Sequence, residues 1–335
     1  MTQGSPDGGP APLYLSGRDV EAAMPGLEER LRLAELTMTA LVADAELPPK
    51  IAVHPRPQGS FAHAMPALLR PRSGASGDLL GIKWVSGFPA NAAAGLPAIQ
   101  ATILLDDPRT GRLQAVLDGG PITAQRTAAV SGVAVARWAP TVAGRPLRAA
   151  LIGAGVQGHS HLPVLGHLLE GCALAIFDRH PERAAGLAET AAGTPGIGAA
   201  RVAVDARDAV AGADVVVTAA SFGPLRQVMT PEWLAPDALV VAVDYATYCS
   251  AAVARGAGLF VVDERAQFLA NRAAGLFDDY PDPQATIGEA ILAGAARPRG
   301  TVLVTHLGVG LADVIFAAAI LARAREQGLG VTLPR

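Results

Sequence analysis

The sequence predicts an α/β protein of two domains: a Rossmann-type doubly wound parallel sheet, and an α+β domain made from the chain on either side of it. Three observations carry this. An apolar strand over 147–152 runs straight into glycines at 153, 155 and 158; short apolar strands alternate with helices from there to about residue 262; and the stretch 50–117 follows the two-residue period of strands. With 335 residues, 50% of them hydrophobic, the chain can fill two such cores. The expected division is a disordered N-terminus over 1–12, a substrate-binding and dimerisation domain over 13–140 with 308–335, and a dinucleotide-binding domain over 141–307.

Residues 1–12 are rich in Gly, Pro and Ser and bury too little apolar surface to offset the entropy of ordering. Ser16 or Asp19 caps a helix reaching Met24, and 27–41 carries apolar residues at helical spacing. Strands follow at 51–54, 60–69, 81–87 and 98–105, and the turn at 106–111 leads into a strand at 113–117. Thr123 is the candidate N-cap of a small-residue helix ending near Trp138. Arg126 then falls in its first turn, where a guanidinium beside the positive helix end makes an anion site, or else an interdomain salt bridge.

After a linker over 138–145 comes the glycine motif. The first glycine makes a tight turn, the second lets backbone approach a diphosphate, and the third allows close helix–sheet packing. A strand over 172–177 ends at Asp178, about 20 residues past the third glycine, where a carboxylate grips ribose hydroxyls. Strands at 200–204, 214–218, 239–243 and 259–262 continue the sheet, interleaved with helices at 182–192 and 208–212; 263–300 reads as loop-rich and 308–327 as a long apolar helix interrupted by Asp313. Ligands bind at the carboxyl ends of parallel strands, which draws attention to 218–221 and to Asp244. Asp244 is either an acid–base group beside a nicotinamide or a cap for 245–250.

A net charge of −3 offers no basic footprint for nucleic acid or for an anionic membrane. No signal peptide or bilayer-length apolar run is evident, and the two cysteines, Cys172 and Cys249, lack metal-ligand spacing, so a reduced cytoplasmic compartment is expected. No metal site is expected, since His159 and His161 have no thiolate or carboxylate partners at ligand spacing. Of 27 basic residues only Lys50 and Lys83 are lysine, which marks them as positions needing a compact, titratable ammonium. His63 and His306 either line the substrate cleft or serve as hydrogen-bonding core residues.

The runs 60–67 (SFAHAMPA), 81–91 (GIKWVSGFPAN), 118–129 (DGGPITAQRTAA) and 153–158 (GAGVQG) resemble the ornithine cyclodeaminase/mu-crystallin family, from about Pro48 to the C-terminal helix. The resemblance implies a homodimer that binds NAD(H) or NADP(H) and interconverts α-amino and α-imino acids. By position it implies that Lys83 and Arg126 serve the substrate carboxylate and that Asp244 is the acid–base group. Lys50, His63 and Met65 complete the expected substrate-binding set. The expected cofactor contacts are Gly153, Ala154, Gly155, Val156 and Gln157 of the loop, Asp178 and Arg179 beyond it, and Thr127, Ala219 and Ser221.

Two departures bear on the reaction. Lys50 stands where many members place an arginine, and His63 stands where the ornithine enzymes place a glutamate for the distal ammonium. A cationic substrate side chain would be desolvated beside a group that can itself be positive. An imino-acid reductase, reversible as an amino-acid dehydrogenase, is therefore the leading expectation. A cyclodeaminase of a basic amino acid and a non-catalytic dinucleotide-binding protein are the alternatives. Asp178 favours NAD by repelling a 2′-phosphate, while Arg179 and His180 leave NADP as the second choice.

Overall fold

Two eight-stranded sheets organise the protein, seen in a computed structural model that describes residues 11–72, 74, 77–221 and 226–334. From the N-terminus come β1 (Leu13–Leu15), α1 (Gly17–Ala22), α2 (Leu27–Ala40), β2 (Ala45–Glu46), β3 (Ile51–Val53), β4 (Phe61–Leu69), β5 (Leu79–Gly87), β6 (Ile99–Asp106), β7 (Leu113–Asp118) and α3 (Gly119–Trp138). Then follow β8 (Arg148–Ile152), α4 (Val156–Leu168), β9 (Cys172–Phe177), α5 (Pro181–Ala192), β10 (Ile197–Val202), α6 (Ala206–Val210), β11 (Val215–Thr218) and β12 (Leu239–Ala242). The remainder is α7 (Ala251–Gly256), β13 (Leu259–Val262), α8 (Arg265–Ala273), β14 (Ala285–Thr286), α9 (Ile287–Leu292), β15 (Val302–Thr305), α10 (Gly310–Gln327) and β16 (Val331–Thr332). Among the described residues no helix is long and apolar enough to cross a membrane.

The chain divides into a first unit of residues up to Gly26, Ala43–Arg126 and Val309 onward, and a second of Leu27–Val42 and Thr127–Gly308. This differs from the expected division in placing α2 and most of α3 with the parallel sheet. The reason is close packing at Gly132, where an added Cβ would lie 2.4 Å from Leu31 of α2 and 2.8 Å from Val164 of α4. Of the expected disordered start, residues 1–10 lie outside the described range; Pro12 is held, its carbonyl accepting the Leu333 amide at 2.8 Å.

In the first unit the strand order is β16-β1-β7-β6-β5-β4-β2, with β3 also paired to β4, and all neighbours antiparallel except β1 and β7. Alternation along β4 and β5 buries Met65, Ala67, Lys83 and Val85 on one face. Helix α10 lies on that face, and two glycines permit it. A Cβ at Gly81 would sit 3.0 Å from Val314 of α10, and one at Gly310 would sit 2.6 Å from the Met65 carbonyl. Ser16 caps α1 in a capping box with Asp19, as its spacing predicts.

The second unit is wholly parallel, in the order β10-β9-β8-β11-β12-β15-β13-β14. Strands β11, β12 and β15 are buried throughout, which explains their unbroken apolar runs. One expectation is corrected here: the segment 263–300 holds α8 and α9, the latter opened by a Thr286–Glu289 capping box. Strand β15, which sequence reasoning did not mark, inserts between β12 and β13. The turns of α8 and α9 are too short for helical periodicity to stand out from the surrounding Pro and Gly.

Candidate active site

In the first unit, Lys83 of β5 is 1% exposed and meets two partners: Thr123 Oγ1 of α3 at 2.7 Å and Asp313 Oδ1 of α10 at 3.0 Å. The same Asp313 oxygen accepts Arg126 Nε at 3.1 Å, while its Oδ2 has no partner. Burial lowers the Lys83 pKa to about 8, against the raising pull of Asp313 and with Arg126 adding to the fall. One carboxylate thus stands between two buried cations, leaving a net positive charge on the cluster while Lys83 is protonated. Such a site recruits an anion with little reorganisation.

The N-cap expected at Thr123 is corrected. Helix α3 begins at Gly119, where Asp118 Oδ1 accepts the Gly120 amide at 2.8 Å, and the Thr123 hydroxyl instead donates to the Gly119 carbonyl at 2.6 Å while accepting from Lys83. Arg126 consequently lies beyond the first turn, too far along for the helix dipole to act on it. Asp313, 187 residues away, orients its guanidinium instead. Nothing local in the sequence joins these residues; only an acid alone in an apolar helix hinted at a partner.

The other expected substrate residues share this face. Met65 pairs with Lys83 and His63 with Val85, so all four project to one side of the sheet. The His63 ring is half-buried and stacks on Phe61 with centroids 4.6 Å apart. Burial, then the charges of Lys50 and His54, depress its pKa to about 4. Lys50 immediately precedes β3.

In the second unit the glycine turn joins β8 to α4. Gly153 has φ +106°, and a Cβ there would lie 2.5 Å from the Ala219 carbonyl; one at Gly158 would lie 2.3 Å from the Gly153 carbonyl. Both positions therefore require glycine. A Cβ added at Gly155, the N-cap of α4, would meet nothing within 4 Å, so the start of this helix is open to close approach. These features fit a dinucleotide diphosphate. Asp178 Oδ2 accepts the Ala154 amide at 2.8 Å and Oδ1 accepts the His180 amide at 2.9 Å, tying the turn to the end of β9. Arg179 is exposed, Thr127 is buried in α3, and Ser221 is exposed past β11.

Asp244 follows β12 at the carboxyl edge of the same sheet, with the Val243 amide donating to the Thr218 carbonyl at 2.8 Å. Tyr245 (φ 52°) and Ala246 (φ 59°) turn the chain through the left-handed region, a costly conformation outside glycine. The carboxyl is 2% exposed and the backbone of Thr247 and Tyr248 acts on it, so a role as cap for 245–250 stands beside the acid–base one. Burial pushes its pKa up to about 7, only partly offset by the nearby Thr218 hydroxyl and the backbone of Thr247 and Tyr248. At neutral pH this carboxyl is poised between acid and base, as a general acid must be.

A buried polar line that sequence reasoning missed lies in the same unit. Ser131 Oγ lies 2.8 Å from His161 Nε2 and 2.9 Å from His306 Nε2, and His161 Nδ1 lies 2.6 Å from the Gln157 carbonyl. Burial lowers the His161 pKa to about 4, so the ring is neutral. A carbonyl only accepts, so Nδ1 carries the proton and Nε2 accepts from Ser131; the serine oxygen then accepts from His306 Nε2–H. His161 and His306 are thus hydrogen-bonding core residues.

The profile of the ornithine cyclodeaminase/mu-crystallin family matches residues 17–328. The chain is 30% identical over 325 residues to the nodulation efficiency protein NfeD of Rhizobium meliloti, covering 95% of this chain and 97% of that one. It is 33% identical over 268 residues to the iminosuccinate reductase of Paracoccus denitrificans, covering 76% and 80%. Among solved structures, the Thermococcus litoralis Δ1-pyrroline-2-carboxylate reductase in complex with NADH and L-proline superposes with a TM-score of 0.82 at 26% identity, covering 96% of this chain and all of that one.

Proposed function

Since the chain belongs to the ornithine cyclodeaminase/mu-crystallin family, we propose that it is an NAD(H)-dependent imino-acid reductase, reversible as an amino-acid dehydrogenase. The observation that carries this reading is Asp244: a carboxyl 2% exposed just past β12, with a pKa that burial pushes up to about 7. Lys83 and Arg126 hold the substrate carboxylate, with Lys50 as an added charge. Asp313 keeps both cations in place and limits their mutual repulsion.

Gly153, Ala154, Gly155, Val156 and Gln157 hold the diphosphate, and Asp178 with Arg179 receives the adenosine ribose; Thr127, Ala219 and Ser221 complete the cofactor-binding set. NAD is the favoured cofactor, because the Asp178 carboxylate repels a 2′-phosphate. When bound, the reduced nicotinamide supplies the hydride that reduces the imine carbon. Asp244 delivers a proton to the imine nitrogen beforehand, making the iminium a better electrophile, and is reprotonated from solvent. Fixing the carboxylate supplies much of the rate by removing orientational freedom.

A homodimer accompanies this reading, formed through the outer face of the first sheet. Ile51, Val53 and Trp84, which project together there by register, are 64%, 51% and 48% exposed. Cyclodeamination is disfavoured by His63, since no carboxylate stands there to hold a distal ammonium.

The test is NADH oxidation with glyoxylate, pyruvate or oxaloacetate, each with ammonia or methylamine, and with cyclic imines. Oxidation with at least one imine is expected, and Asp244→Asn should cut turnover far more than cofactor affinity. Ammonia release from ornithine or lysine without net NADH consumption would replace the reading with cyclodeamination. Tight NADH binding with no turnover on any substrate would replace it with a binding role.

A further inference from the structure

Among the described residues, four that are not glycine have left-handed backbone: Gln227 (φ 56°), Tyr245 (φ 52°), Ala246 (φ 59°) and Asp279 (φ 62°). All four belong to one hydrogen-bonded patch around the turn that follows Asp244. Outside glycine such conformations cost free energy and persist only where the surroundings over-determine them. Here the bonds to backbone carbonyls do so. The Asp244 carbonyl accepts the Thr247 amide at 3.1 Å and its hydroxyl at 2.6 Å, Arg226 donates to the Tyr245 carbonyl at 3.1 Å, and the Gln227 amide donates to the Ala246 carbonyl at 3.0 Å. The Met229 amide donates to the Tyr248 carbonyl at 2.8 Å, and the buried Tyr280 hydroxyl donates to that of Cys249 at 2.6 Å. The Tyr245 hydroxyl donates to the Leu307 carbonyl, just past β15, at 3.0 Å.

Gln227 joins these ties to the neighbouring segments. Its side-chain oxygen accepts the Ala251 amide at 2.6 Å, at the start of α7, where the N-cap Ser250 makes no side-chain bond. Its Nε2 donates to the Asp278 carbonyl at 2.8 Å, beside left-handed Asp279. Bonded at both ends, the side chain holds its own backbone at φ 56°, and that backbone aims the Gln227 amide at Ala246. We propose that Gln227 is a positioning residue for Asp244: its doubly bonded amide fixes the left-handed turn after the acid and so keeps the carboxyl buried at the end of β12. The catalytic use of Asp244 rests on the reductase reading; the positioning does not. Without this tie the turn relaxes and water reaches the carboxyl. Burial is what raises the Asp244 pKa to about 7, so the pKa then falls toward that of a free aspartate. The titratable groups on which its charge acts are Tyr248, Cys249 and Tyr280, all raised above their ordinary values by burial. None of them ionises below pH 8.5, and Arg226 keeps its charge throughout, so a pH-linked change at this turn belongs to Asp244.

Two measurements test this on the full-length protein with Gln227→Ala and with the gentler Gln227→Asn, which tolerates left-handed backbone but is one carbon shorter and cannot keep both bonds. In the first, without cofactor, the Tm difference between each variant and the same variant carrying Asp244→Asn is followed from pH 4.5 to 8.5. It should move by less than about 5 °C, against the ~10 °C expected with Gln227 in place. In the second, kcat/KM for an imine at saturating NADH is followed over the same range. Its fall at high pH should shift to lower pH by about one unit. Arg297→Ala is the control: it removes bonds to the Trp138 and Asp237 carbonyls on the amino side of β12, and it should lower Tm while leaving both pH curves in place. A Tm difference already flat in the native chain, a full shift retained in both Gln227 variants, or the same loss in Arg297→Ala overturns the positioning role and leaves the reductase reading intact. Absence of turnover with every imine overturns the reductase reading itself, and the melting arm then still decides the positioning.

Discussion

Replacing Asp244 by asparagine should make the protein less active and, at neutral pH and above, more stable. The carboxyl has a pKa of about 7 where an unfolded aspartate has 3.8, because burial disfavours its charged form. Between pH 4 and 7 the folded protein keeps a proton that the unfolded chain has released, so stability falls as pH rises through that window. The cost is absent below about pH 4 and complete above about pH 7. A difference of about three pH units amounts to ~4 kcal/mol. Asparagine carries no charge, and its unpaired amide adds a penalty of ~1–3 kcal/mol at every pH. The variant should therefore melt below the native protein at pH 4.5 and at or above it at pH 8. The difference between the two proteins should move by about 10 °C across the range, at about 2–4 °C per kcal/mol for domains of 150–250 residues. Scanning both without cofactor from pH 4.5 to 8.5, and reading only the difference in Tm, cancels every other titrating group. A flat difference would refute the argument, since it would mean that Asp244 ionises in the fold as freely as in water.

Three further outcomes can be measured. Asp313→Ala strips the shared carboxylate from Lys83 and Arg126 and should lower stability by about 3–5 kcal/mol, while Lys83→Met combined with Asp313→Leu should recover only part of the loss, because Arg126 still lacks its acid; thermal melting of the variants decides it. Gly155→Ala, with nothing within 4 Å, should leave Tm nearly unchanged yet weaken NADH binding at least about 10-fold in a fluorescence titration, a loss of about 1.4 kcal/mol. Gly153→Ala, at φ +106° and against the Ala219 carbonyl, should instead lower Tm.

How far these features could be read in advance depended on their range along the chain. The glycine turn, β9 with Asp178, and Asp244 after β12 are each written in a few consecutive residues, and the structure places them as that local reading expects. The rarity of lysine singled out Lys83, which is buried among polar partners. The start of α3 was misplaced because Thr123 looks like a cap, and only the ammonium arriving from β5, 40 residues earlier, shows its hydroxyl engaged elsewhere. The ion pair with Asp313 spans 230 residues and has no local signature. Helices α8 and α9 span nine and six residues, too few for a periodic signal to outweigh the turn residues around them, and each is opened by a side-chain cap, Glu264 and Thr286.

The line from Gln157 through His161 and Ser131 to His306 has a consequence for traffic of protons. Each link has a fixed polarity, and the line ends on a peptide oxygen that has no hydrogen to release. Passing a charge along it would require both rings and the hydroxyl to reverse together, with the terminal contact left repulsive. The array therefore behaves as a strut bracing α4 against the end of β15 rather than as a wire.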